Sequence, residues 1–281
     1  MTQIFLFPGQ GSQKKGMGAE VFPLFPDEVA AADRILGYSV VEQCLEDPGE
    51  RLIQTQFTQP LLFVVSSLMH LARIRDGVSP DMVAGHSVGE FAALLAAGVF
   101  DFETGLRIVQ KRGELMSRAS GGGMAAVVGM SADDIRSTLK EAGHEKVDVA
   151  NLNSPRQSVL SGLKDDVLAC RAAFESAGAR FIPLEVSGAF HSRYMAPAAA
   201  EFETFVRACS FNEPRVPVIA NVTARPYEGG AVVDMITRQI TSPVRWVESM
   251  QYALQQPEPS FEEVGPGSVL TGLLRQIRKA G

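Results

Sequence analysis

The stretch Gly85-His86-Ser87-Val88-Gly89-Glu90 places a serine between two glycines, after an apolar strand-like run and before an Ala-rich helical one. Glycines on either side let a strand turn sharply into a helix, and such a turn lifts the serine hydroxyl above the sheet edge. The serine then stands near a helix N-terminus, where free backbone N–H groups stabilise negative charge. Short Gly/Ser motifs arise by chance, so the context carries the reading. Asp81-Met82-Val83-Ala84 reads as the strand and Phe91 to Val99 as a buried helix. Ser87 is therefore the candidate nucleophile.

A serine hydroxyl needs a base, and the chain has four histidines. His86 adjoins the nucleophile on a tight turn whose neighbouring side chains point apart, and reads as structural. His70 lies in a helical pattern and His144 follows a helix C-terminus, positions of packing or surface residues. His191, in Ser187-Gly188-Ala189-Phe190-His191-Ser192, occupies a small-residue loop where two subdomains should meet. Ligand clefts form at such junctions, so His191 is either the base or a structural loop histidine. A triad acid is harder to find, because the interval between Ser87 and His191 is mostly an inserted subdomain with helix-surface acids. A Ser–His pair oriented by a backbone carbonyl is the alternative, since an imidazole needs only an acceptor to fix its tautomer.

The elements around these residues alternate. Gln3 to Phe7 reads as a strand ending in the loop Pro8-Gly9-Gln10-Gly11-Ser12, with helices over Glu28–Leu36, Thr58–Arg73 and Phe102–Arg118. Such alternation predicts a parallel sheet covered by helices. Gly121-Gly122-Gly123 reads as a breaker and hinge. Beyond it come a strand (Met124–Met130), a helix capped by Ser131 (Ala132–Ala142) and a hairpin (Val147–Leu152, Gln157–Ser161). A helix (Lys164–Ala177) and a strand (Phe181–Val186) complete the order β-α-β-β-α-β, the ferredoxin-like split motif. The economical division is a large α/β unit from residues 1–122 and 189–281, interrupted by a small one at 123–188. The large unit resumes with helices over Pro197–Cys209, Val232–Ile240 and Val244–Gln255, strands at Val216–Asn221 and Ser260–Val264, and a closing helix after Gly265-Pro266-Gly267.

Composition bounds the function. At 281 residues, 46% hydrophobic and 21% charged, the chain can bury a full core. A net charge of -6 argues against a general nucleic-acid binder, yet leaves room for local basic patches at Lys14-Lys15, Arg73 with Arg75, and Arg275, Arg278 and Lys279. Each patch taken singly reads as ordinary solvated surface. No apolar run reads as transmembrane and the first residues do not read as a signal peptide, so a cytoplasmic protein is expected. Cys44, Cys170 and Cys209 are scattered, without metal-ligand spacing, and read as buried free thiols. Neither a metal site nor a nucleotide-cofactor fingerprint is evident.

Several motifs coincide in order along essentially the whole chain: Phe7-Pro8-Gly9-Gln10-Gly11-Ser12-Gln13, Gly85 to Glu90, Asn153-Ser154-Pro155 with Ser161-Gly162, Ala189-Phe190-His191-Ser192, Ser242-Pro243-Val244-Arg245-Trp246 and Gly265-Pro266-Gly267. Together they resemble the malonyl-CoA:acyl carrier protein transacylase family, which includes polyketide synthase acyltransferases. The resemblance implies a hydrolase-like α/β core with a ferredoxin-like subdomain and ping-pong transfer of malonyl from malonyl-CoA to the phosphopantetheine thiol of an acyl carrier protein, free or within polyketide synthase modules. It needs no cofactor beyond the thioester substrate and no nucleic acid or membrane. It implies Ser87 and His191 as the catalytic pair and the backbone N–H groups of Gln10 and Val88 as the oxyanion hole. Arg112 matches the arginine that grips the substrate carboxylate, for which a guanidinium fork is suited. Gln239 matches a position whose backbone orients the histidine, and Gln59 either lines the cleft or serves a helix N-terminus. Phe190, immediately before the histidine, is of the malonyl-preferring type, as is Val88; one excluded methyl is worth only about 1–3 kcal/mol. Phe57-Thr58-Gln59-Pro60 and Gly121 to Val127 look closer to discrete polyketide acyltransferases than to fatty-acid enzymes.

The nearest rival is a hydrolase that clears stalled acyl chains from carrier proteins; it needs Ser87 and His191 but has no use for Arg112. A malonate decarboxylase transacylase subunit is another reading within the family. A non-catalytic carrier-protein docking module is a different class, and it need not retain Ser87, His191, Gln10 and Arg112 together.

Overall fold

The computed structural model describes residues 1–280. In chain order the first half contains β1 (Thr2–Phe7), α1 (Pro26–Leu36), α2 (Val40–Glu46), α3 (Thr55–Arg75), β2 (Met82–Gly85), α4 (Gly89–Ala96) and α5 (Phe102–Ser117). The small antiparallel unit follows: β3 (Gly122–Val128), α6 (Ala132–Glu141), β4 (Asp148–Ser154), β5 (Gln157–Leu163), α7 (Lys164–Ala169), α8 (Arg171–Ser176) and β6 (Arg180–Leu184). The chain closes with α9 (Ala196–Val206), β7 (Val218–Ile219), α10 (Val232–Gln239), α11 (Trp246–Leu254), β8 (Pro259–Glu263) and α12 (Val269–Ala280).

The large sheet has the order β7-β2-β1-β8, and all its pairings are parallel. Its central strand explains why it must be covered on both faces. Ile4, Phe5, Leu6 and Phe7 are all buried, and the twofold period of a strand sends them alternately to opposite sides. Phe5 and Phe7 join Phe63, Phe91 and Leu106 from α3, α4 and α5. Ile4 and Leu6 join Trp246, Met250, Leu270 and Leu274 from α11 and α12. Contrary to the expectation that no run reads as transmembrane, helix α3 is long and apolar enough to cross a membrane. Yet 67% of that apolar window is buried inside the molecule, and it serves as a core helix.

The second sheet has the order β4-β5-β3-β6 and is antiparallel throughout, the β-α-β-β-α-β arrangement expected. Alternation again divides it. Ala125, Val127 and Leu160 pack with Ile135, Phe174 and Phe181 in the unit's own core, whereas Met124, Ala126 and Val159 turn toward the large unit. Ser131 caps α6 by accepting from the Asp134 N–H.

Four expectations need correction. Gly122 and Gly123 are not a hinge but the first residues of β3, and a Cβ on Gly122 would lie 2.2 Å from the Ala189 nitrogen of the returning chain. The helix expected over Lys164–Ala177 is two short ones meeting at Cys170. The helix expected from Val244 starts at Trp246, because Val244 pairs with β4: its N–H donates to Ala150 O over 2.8 Å and its carbonyl accepts from Leu152 N–H over 2.9 Å. That short parallel link stitches the second sheet to the large unit beside the loop carrying His191. The strand expected over Val216–Asn221 is only Val218–Ile219, an edge strand whose following residues turn into the site. Of the thiols, Cys44 and Cys170 are buried and Cys209 is half-buried.

Candidate active site

The turn between β2 and α4 is tight enough to exclude side chains at both glycines. A Cβ on Gly85 would sit 2.1 Å from Gly89, and one on Gly89 would sit 2.1 Å from Phe7 O. Ser87 between them takes a left-handed backbone, φ 52°, a conformation that costs a non-glycine residue energy and persists only when its surroundings enforce it. Asn221, just past β7, does so: its Oδ1 accepts from the Ser87 N–H over 2.7 Å and its Nδ2 donates to Gly85 O over 2.6 Å.

Ser87 Oγ lies 2.7 Å from His191 Nε2, and His191 Nδ1 lies 2.8 Å from the main-chain oxygen of Gln239. With a carbonyl as partner, Nδ1 must carry the proton and Nε2 is left as the acceptor facing the hydroxyl. Among the described residues no acid completes a triad. Burial, and next the Arg112 guanidinium, push the His191 imidazole down to about 3, so it is unprotonated at neutral pH with Nε2 free to accept.

Arg112 on α5 is fully buried yet reaches the same point. One terminal nitrogen donates to Gln59 Oε1 over 2.6 Å; the other donates to Gln239 Oε1 over 2.8 Å and to Ser87 Oγ over 3.2 Å. Its Nε has no partner, and the guanidinium lies over the Phe91 ring at 5.5 Å. Gln59, on α3, thus belongs to the site through Arg112. Phe190 is buried against Gly188, where a Cβ would meet its ring at 2.4 Å.

A cleft of about 430 Å³ between the two sheets is lined by Gln10, Gln59, Ser87, Val88, Arg112, Phe190 and His191. Its far wall comes from the second sheet, through Met124, Ala126, Asn151, Asn153 and Val159. Gln239 alone of the expected residues stands behind the wall, fully buried. His86, expected to be structural, also lines the cleft, with Nε2 2.8 Å from Asn153 Oδ1 across the two units. His70, by contrast, packs edge-on against Phe5 and Phe7 in the core. Among the described residues, the amides of Ser87, Gly89 and Glu90 are used by the turn, while those of Gln10 and Val88 donate to no group of the chain. Both residues line the cleft with Ser87.

Sequence reading missed a second layer. Buried Glu90 and Asn221 and half-buried Tyr227 form a cluster behind Ser87 and Gln239. Glu90 was visible only as a first-turn helix acid, and nothing in the local pattern around Asn221 or Tyr227 marks them.

A family model of the acyl transferase domain matches residues 4–280. The chain is similar to the polyketide biosynthesis malonyl CoA-acyl carrier protein transacylase BaeC of Bacillus velezensis, 51% identical over 277 residues that cover 98% of this chain and 96% of the relative. It superposes on the crystal structure of malonyl CoA-acyl carrier protein transacylase from Burkholderia pseudomallei with a TM-score of 0.97 at 47% identity, covering 100% and 99% of the two chains. It also resembles the malonyl-transacylase in a complex with its holo type II PKS acyl-carrier protein, PlMCAT:AntF (TM-score 0.94, 35% identity, 99% and 94% coverage). The chain belongs to the acyl transferase domain family, among the malonyl-CoA:acyl carrier protein transacylases.

Proposed function

We propose that this enzyme transfers malonyl from malonyl-CoA to the phosphopantetheine thiol of an acyl carrier protein in polyketide biosynthesis, through a malonyl ester on Ser87. The observation that carries the reading is a Ser–His pair meeting, in one cleft, a buried arginine 3.2 Å from the serine hydroxyl. A hydrolase of neutral acyl chains has no use for that cation.

Ser87 Oγ attacks the thioester carbonyl as its proton passes to His191 Nε2. The Gln10 and Val88 N–H groups stabilise the oxygen that becomes negative. The C–S bond breaks, and the imidazolium returns its proton to the CoA sulfur. The carrier thiol then gives its proton to His191 and attacks the ester, and Ser87 leaves with that proton. Gln239 O keeps the imidazole in the required tautomer. Arg112 pairs with the free carboxylate of the malonyl group, with Gln59 and Gln239 holding the guanidinium. Phe190 crowds the α-carbon and favours an unbranched malonyl unit.

The large unit and the small one inserted into it, which takes up residues 123–188, form the walls of the cleft that admits the thioester arm. The chemistry draws on side chains and backbone alone, so the reading includes no cofactor and a cytoplasmic enzyme. The complex of a similar transacylase with its holo carrier protein supports the acceptor half. Incubation with malonyl-CoA and a holo carrier protein, followed by mass spectrometry of the carrier, tests the reading. Malonylated carrier is the expected product; free malonate with unmodified carrier contradicts it.

A further inference from the structure

Glu90 lies on α4, three residues after the nucleophile, with no exposed surface, and the transfer steps above do not use it. Every group bonded to it is a donor. Tyr227 O–H donates to Oε1. Gln239 Nε2 donates to Oε2 over 2.6 Å and the Asn221 N–H over 3.2 Å. Such a shell fits an ionised carboxylate, which only accepts.

A buried carboxylate needs a counter-charge, and here that is Arg112. The two groups are joined by a single side chain rather than by contact. Gln239 gives its NH2 to Glu90 and offers its Oε1 to Arg112 over 2.8 Å. The carboxylate, with the Ser87 main-chain oxygen that accepts from the same NH2 over 3.0 Å, fixes which way the amide points. Turned around, the amide would set its NH2 against the guanidinium.

We propose that Glu90, acting through Gln239, is the positioning residue that keeps Arg112 charged and aimed, and so sets the preference for carboxylate-bearing over neutral acyl thioesters. The inference rests on reading Arg112 as the carboxylate grip. Burial works against both charges: it pushes the Arg112 guanidinium down to about 9 and the Glu90 carboxyl up to about 7. Each opposes the shift of the other, and the Tyr227, Gln239 and Asn221 donors add to the hold on the carboxylate. Without Glu90, the guanidinium keeps only amide and hydroxyl oxygens around it.

Glu90→Gln isolates the charge. Its carbonyl can accept from Gln239 and Asn221 while its amide donates to the Tyr227 oxygen, so all three hydrogen bonds can persist. Glu90→Asp keeps the charge on a shorter arm. The readout is the ratio of Ser87 acylation rates by malonyl-CoA and acetyl-CoA, followed by intact mass in wild type, Glu90→Gln, Glu90→Asp and Arg112→Ala. The ratio is expected to fall about tenfold or more in Glu90→Gln, on the scale of a hydrogen bond to a charged group. It falls in Arg112→Ala as well and recovers in part in Glu90→Asp. An unchanged ratio in Glu90→Gln beside a lowered one in Arg112→Ala overturns the role of Glu90 and leaves the arginine grip standing. An unchanged ratio in Arg112→Ala overturns the grip itself. Equal loss of malonyl and acetyl acylation in Glu90→Gln reduces Glu90 to a structural residue and also overturns the inference. If Glu90→Gln does not fold, Tyr227→Phe carries the same test, with a smaller fall in the ratio expected and no fall overturning it.

Discussion

Arg112 and Ser87 share a hydrogen bond of 3.2 Å although they stand on different elements of the large unit, α5 and the turn into α4. The fork makes three simultaneous bonds, to Gln59, Gln239 and Ser87. A lysine ammonium is a point charge on a flexible stem and cannot reproduce that fork. Arg112→Lys is therefore expected to lower kcat/KM for malonyl-CoA by about 10–100-fold, the scale of lost hydrogen bonds to a charged group. Steady-state transfer kinetics check it, and wild-type activity in Arg112→Lys would mean that charge alone suffices.

The neutral imidazole leads to a pH prediction. Burial and Arg112 lower the His191 pKa to about 3, so the basic form persists as pH falls through 6.5, the ordinary histidine value. Labelling of Ser87 by a neutral fluorophosphonate probe should hold its rate from pH 8 down through that range and decline only further into acid. A decline centred near pH 6.5 would show an ordinary, solvated histidine.

The pattern that made Ser87 legible is local, and so is its physical cause: two glycines where a Cβ would strike backbone at 2.1 Å. The twofold and helical periods likewise exposed β1, α5 and the β-α-β-β-α-β order, because burial acts on alternate residues of one element. What stayed hidden is non-local. Asn221 binds Ser87 across 134 residues and Gln239 bridges Glu90 across 149, and no short window records such pairings. Val244 shows the same limit from the other side. Its place at the head of a helical pattern reads it into α11, but the β-branched side chain suits the extended pairing with β4 that takes it out. The orienting carbonyl of Gln239 was reachable only through family resemblance, since any residue has a carbonyl.

Close packing at the elbow gives a paired stability test. Gly89→Ala puts a methyl 2.1 Å from Phe7 O and 2.7 Å from Pro8 O, so β1, its loop and the elbow must separate. Overpacking of this kind costs about 1–3 kcal/mol or more and here distorts the oxyanion donors as well. Gly272→Ala on α12 meets nothing within 4 Å and should stabilise by about 0.5–1 kcal/mol through helix propensity. Thermal unfolding of both variants should move in opposite directions; equal shifts would contradict the packing argument.

Phe190 is expected to govern the α-carbon. Its ring is buried at the cleft and held by the space above Gly188. Phe190→Ser opens room for one methyl, and a methyl is worth about 1–3 kcal/mol of discrimination. In competition between malonyl-CoA and methylmalonyl-CoA, the variant should gain about 10-fold or more toward the branched unit. An unchanged product ratio would place the selectivity elsewhere in the cleft.

The most direct test of the central claim is intact-mass spectrometry of the enzyme after brief exposure to malonyl-CoA, beside Ser87→Ala. A single malonyl adduct on the wild type, absent from Ser87→Ala and discharged by holo carrier protein, is the predicted result. A wild-type enzyme that never carries the adduct, or a Ser87→Ala variant that still does, contradicts the serine ester on which the account depends.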